Sequence, residues 1–319
     1  MKQYDVIVIG DANVDLVVAG CSDMPGPGQE VFVRNITLHV GGGAALFSLS
    51  LARLGLRTAF NGVLGDDGFG QFVKERFNQS GIDTRFIRTS NRNNTGISIA
   101  INPEKDRSFI SYMGSNAELD LQQLDMRSVV LGRHVHLTGY RGSRNHAEYM
   151  DMTRRIKALG LTVSIDVGWD DTGEWYKGVF ELMEEVNVFF MNEVEAQHYT
   201  GCSSAEACLK TLSAHSRHTV LKLGAMGAAA AVDGRMLYRS GFEVPVVDTT
   251  GAGDAFNAGY MYGFLTGQPP EQCLLYANAC GAMSVSQFGG SPEALNHAAM
   301  EQFIAEKAGR TTDHWQIAQ

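Results

Sequence analysis

The sequence lacks any block of positive charge. It has 26 Lys and Arg residues against 35 Asp and Glu residues, and its formal net charge is −9. An acidic chain without a basic run is a poor match for nucleic acid or for an anionic membrane surface. We therefore expect neither partner. A phosphate site in this chain would have to take its positive potential from backbone amides, helix ends, a metal ion or a few basic side chains.

Cysteine and long apolar runs are also scarce. The five cysteines form no Cys-x-x-Cys pair and none has zinc-site spacing with a histidine, so free thiols in a reducing compartment are expected. The longest apolar stretch, residues 221–232, contains Lys222 and is too short to span a bilayer. Only four apolar residues stand between Asp5 and Gly10, which does not fit a signal peptide. These features predict a cytoplasmic protein without a membrane segment.

Two common nucleotide-binding motifs are missing. No Gly-x-x-x-x-Gly-Lys-Ser/Thr segment occurs, which excludes a P-loop enzyme. Residues 4–9 resemble a buried strand and end at Gly10, but the later glycines of a dinucleotide-binding turn are absent, which disfavours an oxidoreductase. Asp11, Asn13 and Asp15 stand there instead, and they share one face if the backbone stays extended. Such side chains suit sugar hydroxyls, or they belong to a solvated strand end.

The most informative segment runs from Val247 to Phe256 and precedes an apolar helical stretch. Its glycines allow a tight turn that aims the amides of Gly251, Ala252 and Gly253 at one point where a helix starts, and such a point binds anions. Asp254 lies on the first helical turn, within reach of a hydroxyl held there. An anion hole beside a base suits phosphoryl transfer. The alternative is an N-capping Asp after a glycine turn.

The residues from Asp248 to Phe256 resemble the C-terminal signature of the ribokinase, or PfkB, family of carbohydrate kinases. The glycine-rich turn at residues 41–43, before a helix that ends at Gly55, is similar to the first signature of that family. The resemblance implies one α/β domain over residues 1–319, a three-layer α/β/α sandwich with a mostly parallel central sheet. It also implies a small β-sheet lid from residues 12–40 and 95–113. The alternating strand and helix patterns after His134 independently indicate a parallel sheet covered by helices.

Several candidate ligand-binding residues follow from these motifs. For the substrate, the resemblance favours Asp15, with Asn13 beside it, and the turn of Gly41, Gly42 and Gly43. The carboxyl ends of predicted strands add Arg141, and the turn after the second lid hairpin adds Asn116. For the nucleotide, the resemblance implies Asn192, Lys222, Gly224, Gly227, Gly253 and Asn278.

Two cation sites are also predicted. The family resemblance implies that Glu195 holds Mg²⁺ through water, and the alternative is that Asn192 and Glu195 form a helix-capping arrangement. A candidate K⁺ loop resembles that of the family and comprises Asp248, Thr250, Ser284, Gln287 and Gly289.

One position departs from the family pattern, because Leu46 stands where Asn is common. The loss of that amide argues against a simple ribose or fructose kinase, and with Phe47 nearby it makes a nucleoside kinase of the same fold the nearest alternative. A catalytically silent sugar or nucleotide sensor is a second alternative, opposed by the presence of Asp254 and Glu195. We expect an enzyme that transfers the γ-phosphoryl group of ATP to a sugar hydroxyl with Mg²⁺, and a homodimer formed through the exposed edge of the lid.

Overall fold

The computed structural model describes residues 2–20, 26–102, 108–287 and 294–307. The strands within them are β1 (Tyr4–Ile9), β2 (Asn13–Ala19), β3 (Asn35–Gly41), β4 (Thr58–Asn61), β5 (Val63–Gly65), β6 (Arg88–Ser90), β7 (Gly96–Asn102), β8 (Ser108–Tyr112), β9 (Gly132–Leu137), β10 (Thr162–Asp166), β11 (Val188–Asn192), β12 (His218–Lys222), β13 (Ala228–Val232) and β14 (Arg235–Arg239). The α-helices are α1 (Gly43–Arg53), α2 (Gly68–Gln79), α3 (Met126–Val129), α4 (His146–Ala158), α5 (Val179–Glu185), α6 (Glu193–Thr200), α7 (Ala205–Leu212), α8 (Ala252–Leu265), α9 (Pro270–Val285) and α10 (His297–Lys307). None of the helices in these ranges is long and apolar enough to cross a membrane.

The central sheet has eight strands in the order β14-β13-β12-β11-β10-β9-β1-β4. The strands from β12 to β4 in this order are parallel. Alternate residues of β1 enter different cores, because Val6 and Val8 pack against α1, α2, α8 and α9 while Ile7 and Ile9 pack against α4 to α7. A strand buried on both faces needs helices on both sides. The predicted three-layer sandwich is therefore confirmed.

The last two strands of the central sheet are antiparallel, which differs from the repeated parallel alternation that the sequence pattern indicates. Only residues 223–227 join β12 to β13, and a parallel crossover needs a dozen or more residues. At the end of this turn Gly227 has φ 98°, and a Cβ there would collide with the carbonyl oxygen of Arg239. The glycine therefore makes the hairpin possible.

A second sheet of four strands stands apart from the central one, in the order β3-β2-β7-β8. Two antiparallel pairs, β2 with β3 and β7 with β8, are joined through the parallel pair β2 and β7. The small separate sheet is thus present, and it is built from the residue ranges that the alternating sequence pattern indicates. Because β2 begins four residues after β1 ends, the base of this sheet lies at the carboxyl edge of the central sheet.

Helices α8 and α9 cross unusually closely. A Cβ on Gly259 would lie 2.6 Å from the carbonyl oxygen of Tyr276, and one on Gly263 would lie 2.9 Å from the sulfur of Cys273. Helix α8 also packs against α1. The N terminus of α8 is therefore held between two neighbouring helices, which fixes the position of any residue on its first turn.

Candidate active site

The N terminus of α8 has no side-chain cap within the described chain. Gly251 occupies the N-cap position with φ 69°, a left-handed conformation that suits glycine. The Ala252 amide donates a hydrogen bond to the carbonyl oxygen of Thr249 at 3.3 Å, so it is less available to a ligand than the sequence alone indicates. The amides of Gly253 and Asp254 follow it on the first turn. Uncapped amides at a helix N terminus form a site for an anion.

A second helix N terminus, that of α1, lies beside the first but is capped internally. Its N-cap is Gly42, and the carboxylate of Asp11 accepts hydrogen bonds from the amides of Gly43 at 2.9 Å and Ala44 at 3.3 Å. Thr138 donates a third hydrogen bond to Asp11 at 2.9 Å. The glycine turn is thus occupied by a carboxylate of the chain itself, which the sequence pattern did not indicate. Asp11 is a helix cap here.

Replacing Asp11 with Ala should lower the free energy of unfolding by about 1–3 kcal/mol, because three donors lose their acceptor. Urea unfolding followed by circular dichroism measures this change. Asp151→Ala, at an exposed position of α4, is the matched control and should have little effect. An Asp11→Ala variant as stable as the wild type would contradict the capping role.

The carboxylate of Asp254 faces the glycine turn that precedes α1. A Cβ on Gly43 would lie 3.1 Å from Oδ1 of Asp254 and 4.0 Å from Oδ1 of Asp11. Burial raises the pKa of Asp254 well above its usual value, and the negative charges of Asp166, Asp11 and Asp15 add to the rise, whereas Lys222 opposes it. A carboxyl group with a raised pKa is a stronger proton acceptor once it is ionised.

Asp15 and Asn13 begin β2 next to the glycine turn. Asn13 donates a hydrogen bond to Oδ1 of Asp15 at 2.9 Å. A Cβ on Gly41 would collide with the Asp15 carboxylate, and a Cβ on Gly42 would lie 2.8 Å from Oδ1 of Asn13. The predicted residues Asn13, Asp15, Gly41, Gly42 and Gly43 are therefore neighbours. Burial, together with the charges of Asp11 and Asp248, raises the pKa of Asp15 to about 6 against the effect of the Asn13 hydrogen bond.

Lys222 lies at the end of β12 and is paired with Asp166 at the end of β10. The ammonium nitrogen is 3.0 and 2.8 Å from the two carboxylate oxygens of Asp166. Asn257, one turn after Asp254, donates to the same carboxylate at 2.6 Å. Neither Asp166 nor Asn257 is among the site residues that the sequence patterns predict. The only signal was the rule that ligands collect at the carboxyl ends of parallel strands.

Asn192 and Glu195 form a capping box at the start of α6. The side chain of Asn192 accepts from the Glu195 amide at 2.9 Å, and Oε2 of Glu195 accepts from the Asn192 amide at 2.8 Å. The capping alternative is therefore realised, and the Mg²⁺ role stays a prediction. Burial and Asp166 raise the pKa of Glu195, while Lys222 acts against this rise. No group of three or more His, Cys, Asp or Glu side chains in the described ranges is arranged as a metal site.

The other predicted nucleotide residues lie further along the same edge. Gly224 and Gly227 bracket the turn between β12 and β13, and Gly227 has no room for a side chain beside the backbone of Arg239. Asn278 on α9 donates to the carbonyl oxygens of Arg239 and Ser240, each at 3.1 Å, and so anchors the chain after β14. These hydrogen bonds account for the burial of Asn278 without a ligand, and its nucleotide contact stays a prediction.

Asn116 and Arg141 both have contacts within the chain. The amide oxygen of Asn116 accepts from the backbone nitrogen of Ala12 at 3.1 Å, just before β2 begins. Arg141 follows β9, and its guanidinium contacts the sulfur of Met113 at the end of the four-stranded sheet. Arg141 thus links the segment after β9 with the segment after β8, whereas Asn116 orders the backbone beside Asp11 and Asn13.

The candidate K⁺ loop is held together by backbone bonds between two segments. The amides of Val247 and Asp248 both donate to the carbonyl oxygen of Val285, at 2.7 and 3.1 Å. Asp248 is buried and accepts from the Thr250 amide at 2.7 Å, and Ser284 is buried nearby on α9. Gln287 is exposed, and Gly289 lies outside the described residues.

Leu46 and Phe47 belong to the interior of the protein. Both are buried on α1, and the ring of Phe47 stacks on His136 with a centroid distance of 3.8 Å. The hypothesis that Phe47 leaves room for a nucleoside is therefore not supported by its position in the core. Leu46 is 3% exposed and therefore offers an apolar side chain where the family commonly has an amide.

The α/β/α sandwich and this site together define the class of small-molecule kinases. The model of the pfkB family of carbohydrate kinases matches residues 3–296, and the chain belongs to that family. It is accordingly a sugar kinase.

Three similar proteins illustrate the relationship. The ATP-dependent ribose-1-phosphate kinase of Halopiger xanaduensis is 27% identical over 310 residues, which cover 95% of this chain and 98% of that relative. Ribokinase II of E. coli, solved with ATP and Mg²⁺, has a TM-score of 0.84 at 22% identity, covering 95% of this chain and 99% of that one. Arabidopsis thaliana ribokinase, solved with ribose and ATP, has a TM-score of 0.83 at 24% identity, covering 94% and 98% of the two chains. At these identities the structural likenesses show the fold.

Proposed function

We propose that this sugar kinase transfers the γ-phosphoryl group of ATP to a hydroxyl of a small uncharged sugar, with Asp254 as the general base. The observation that supports this most directly is the uncapped N terminus of α8 beside Asp254. The neighbouring helix end offers no second anion site, because Asp11 already occupies it. A phosphoryl group bound at the N terminus of α8 would lie next to the base, as in-line transfer requires.

Asp254 accepts the proton of the attacking hydroxyl as the bond to phosphorus forms. The amides at Gly251, Ala252 and Gly253 stabilise the negative charge on the equatorial oxygens, with the Ala252 amide contributing less because of its bond to Thr249. Asp15 and Asn13 orient the sugar through hydrogen bonds to its other hydroxyls. The carboxylates of Asp11, Asp15 and Asp254 make this part of the site acidic, which favours an uncharged substrate over a sugar acid or a sugar phosphate.

The two proposed cation sites differ in the residues that would hold the ion. A buried Glu195 beside the paired charges of Lys222 and Asp166 suits Mg²⁺, which keeps most of its waters and would neutralise phosphate charge. Asp248, Thr250 and Ser284 supply oxygen atoms that suit K⁺ on the far side of the α8 N terminus. Asn192, Lys222, Gly224, Gly227, Gly253 and Asn278 remain the residues proposed for the nucleotide.

The four-stranded sheet is proposed to act as the lid over the sugar and as the surface through which two copies pair. Strands β3 and β8 are its edges, and Ile36, Phe109, Ile110 and Tyr112 on them are about half exposed. Unpaired edge strands with apolar side chains favour pairing with another chain. Sedimentation velocity distinguishes a dimer from a monomer, and a monomer at micromolar concentration would contradict the pairing.

The experiment that tests the function is an ADP-release assay against neutral sugars, sugar acids and nucleosides, run with and without K⁺. We expect MgATP consumption with at least one neutral sugar, and mass spectrometry should show a product phosphorylated at a hydroxyl. Turnover confined to nucleosides or to sugar acids would overturn the substrate class. Absence of ATP consumption with every acceptor would favour the sensor alternative.

A further inference from the structure

Lys222 and Asp166 form a largely buried ion pair beside the site. The two side chains are 14% and 12% exposed, and their closest atoms are 2.8 Å apart. Asn257 adds a third member through its hydrogen bond to Asp166. The three residues come from β10, β12 and α8, so the pair connects the central sheet with the helix that carries Asp254.

This arrangement is costly for a protein interior. Buried ion pairs can often be replaced by apolar side chains without loss of stability, because the attraction barely repays the removal of water. The side-chain oxygen of Asn257 is also buried and has no hydrogen-bond partner among the residues that the structure describes. Two unfavourable features at one position indicate a role other than holding the fold together.

The position of the Lys222 ammonium suggests that role. It lies 3.5 Å from the point where a Cβ on Gly253 would stand, so the glycine leaves the space between the ammonium and the first turn of α8 open. Burial lowers the pKa of Lys222, but the charges of Asp166, Glu195 and Asp254 together raise it above its usual value. The ammonium group is therefore charged, and it is aimed at the uncapped helix end.

We propose that Asp166 and Asn257 are positioning residues that hold the Lys222 ammonium behind the α8 N terminus, where it offsets the charge of the transferring phosphoryl group and of Asp254. This inference rests on the proposed function. Asp166 and Asn257 would affect phosphoryl transfer only through the position of Lys222. An ammonium group on a flexible stem is positioned more precisely when the carboxylate that holds it is itself fixed by another hydrogen bond, here from Asn257.

The test compares Lys222→Met, Asp166→Asn and the double variant. Each single variant buries one unpaired charge and should lose thermal stability, and the double variant should regain most of it because both charges are gone. If Lys222 acts on the phosphoryl group, kcat of the double variant stays about 10²-fold below the wild type although the fold is restored. The surface pair Lys157 and Glu185, 2.7 Å apart, provides the control as Lys157→Met with Glu185→Gln. A double variant of Lys222 and Asp166 with wild-type kcat would show a structural pair and overturn the proposal.

The pH profile tests whether the charges of Lys222 and Asp166 act on Asp254. The charged groups that face Asp254 are Asp11, Asp15, Asp166 and Lys222. Loss of the Lys222 charge should move the acid limb of kcat/KM to higher pH, and loss of the Asp166 charge should move it to lower pH. Equal acid limbs in both single variants would contradict the proposal.

Asn257→Ala should lower kcat with little change in KM for the sugar. Asn257→Gln should recover none of the lost kcat, because its longer side chain does not place the amide at the same contact.

Failure of the positioning role is separable from failure of the proposed function. If the wild type phosphorylates no acceptor and the Asp254→Asn variant shows the same lack of activity, the proposed function is contradicted. The positioning role is then contradicted as well. An active wild type, an inactive Asp254→Asn variant and an active double variant sink the positioning role alone.

Discussion

The Asp254→Asn variant should turn over about 10² to 10⁴ times more slowly than the wild type, while its affinity for MgATP stays similar. The amide keeps the size and the place of the carboxyl group but cannot take the hydroxyl proton. The proposed phosphate contacts come from the backbone amides of the same turn, and the substitution leaves those amides in place. Steady-state kinetics for kcat and isothermal titration with MgATP measure the two quantities separately.

The same variant should be more stable than the wild type at neutral pH. Burial and Asp166 raise the pKa of Asp254 in the folded state above its value in the unfolded chain. Between these two pKa values the folded state holds a proton that the unfolded state has released, so stability falls as the pH rises through this window. Asparagine removes the cost of the buried charge. The stabilisation should therefore be largest above the folded pKa and should disappear towards pH 4, near the unfolded pKa of an aspartate.

Asp66→Asn is the matched control, because Asp66 is exposed at the turn into α2. It should change neither turnover nor melting temperature. An Asp254→Asn variant with turnover near that of the wild type would refute Asp254 as the base. A variant that is inactive but no more stable would leave the base in place and contradict the energetic cost assigned to its charge.

The Asp15→Ala variant should have a KM for the sugar about 10 to 100 times higher, with a nearly constant KM for ATP. A hydrogen bond to a charged group contributes about 1.5–3 kcal/mol, and 1.4 kcal/mol corresponds to a factor of ten. Gly41→Ala should have a similar effect, since its new methyl group would displace the Asp15 carboxylate. Asp15→Asn should lie between the wild type and Asp15→Ala, because an amide still accepts one hydroxyl.

The pH dependence of sugar binding separates Asp15 from Asp254. Because the pKa of Asp15 is raised to about 6, its carboxylate is ionised above that pH and protonated below it. Sugar affinity should therefore decline as the pH falls through 6, and Asp15→Asn should abolish this decline. Equilibrium binding of the sugar without ATP measures it without any catalytic step. A pH-independent affinity in the wild type would argue against Asp15 as a sugar ligand.

The sequence predicted the elements of the central sheet well because their signals are local. The apolar runs of β1 and β9 to β12 and the glycine turn before α8 each lie within a few residues. The capping box of Asn192 and Glu195 could also be read from its spacing. The antiparallel end of the sheet was missed, since a run such as β13 carries no mark of its direction, although the short connection from β12 does.

The charge pair behind the site could not be predicted because it depends on long-range order. Asp166 and Lys222 are 56 residues apart, and Asn257 follows Asp166 by 91 residues. Their contact follows from the placement of β10 and β12 on either side of β11, which no local pattern encodes. Asp11 was misread for another reason. Its side chain turns towards α1 because β1 has ended and the extended geometry that would align it with Asn13 does not apply.

The close crossing of α8 and α9 limits how this protein can be redesigned. Gly259 and Gly263 lie five and nine residues beyond Asp254 on α8, and α9 fills the space where their side chains would be. A methyl group at either position would displace α8 and so move its N terminus relative to Gly43. Mutational libraries that treat these two positions as ordinary core sites would therefore change catalysis, although neither position contacts a ligand.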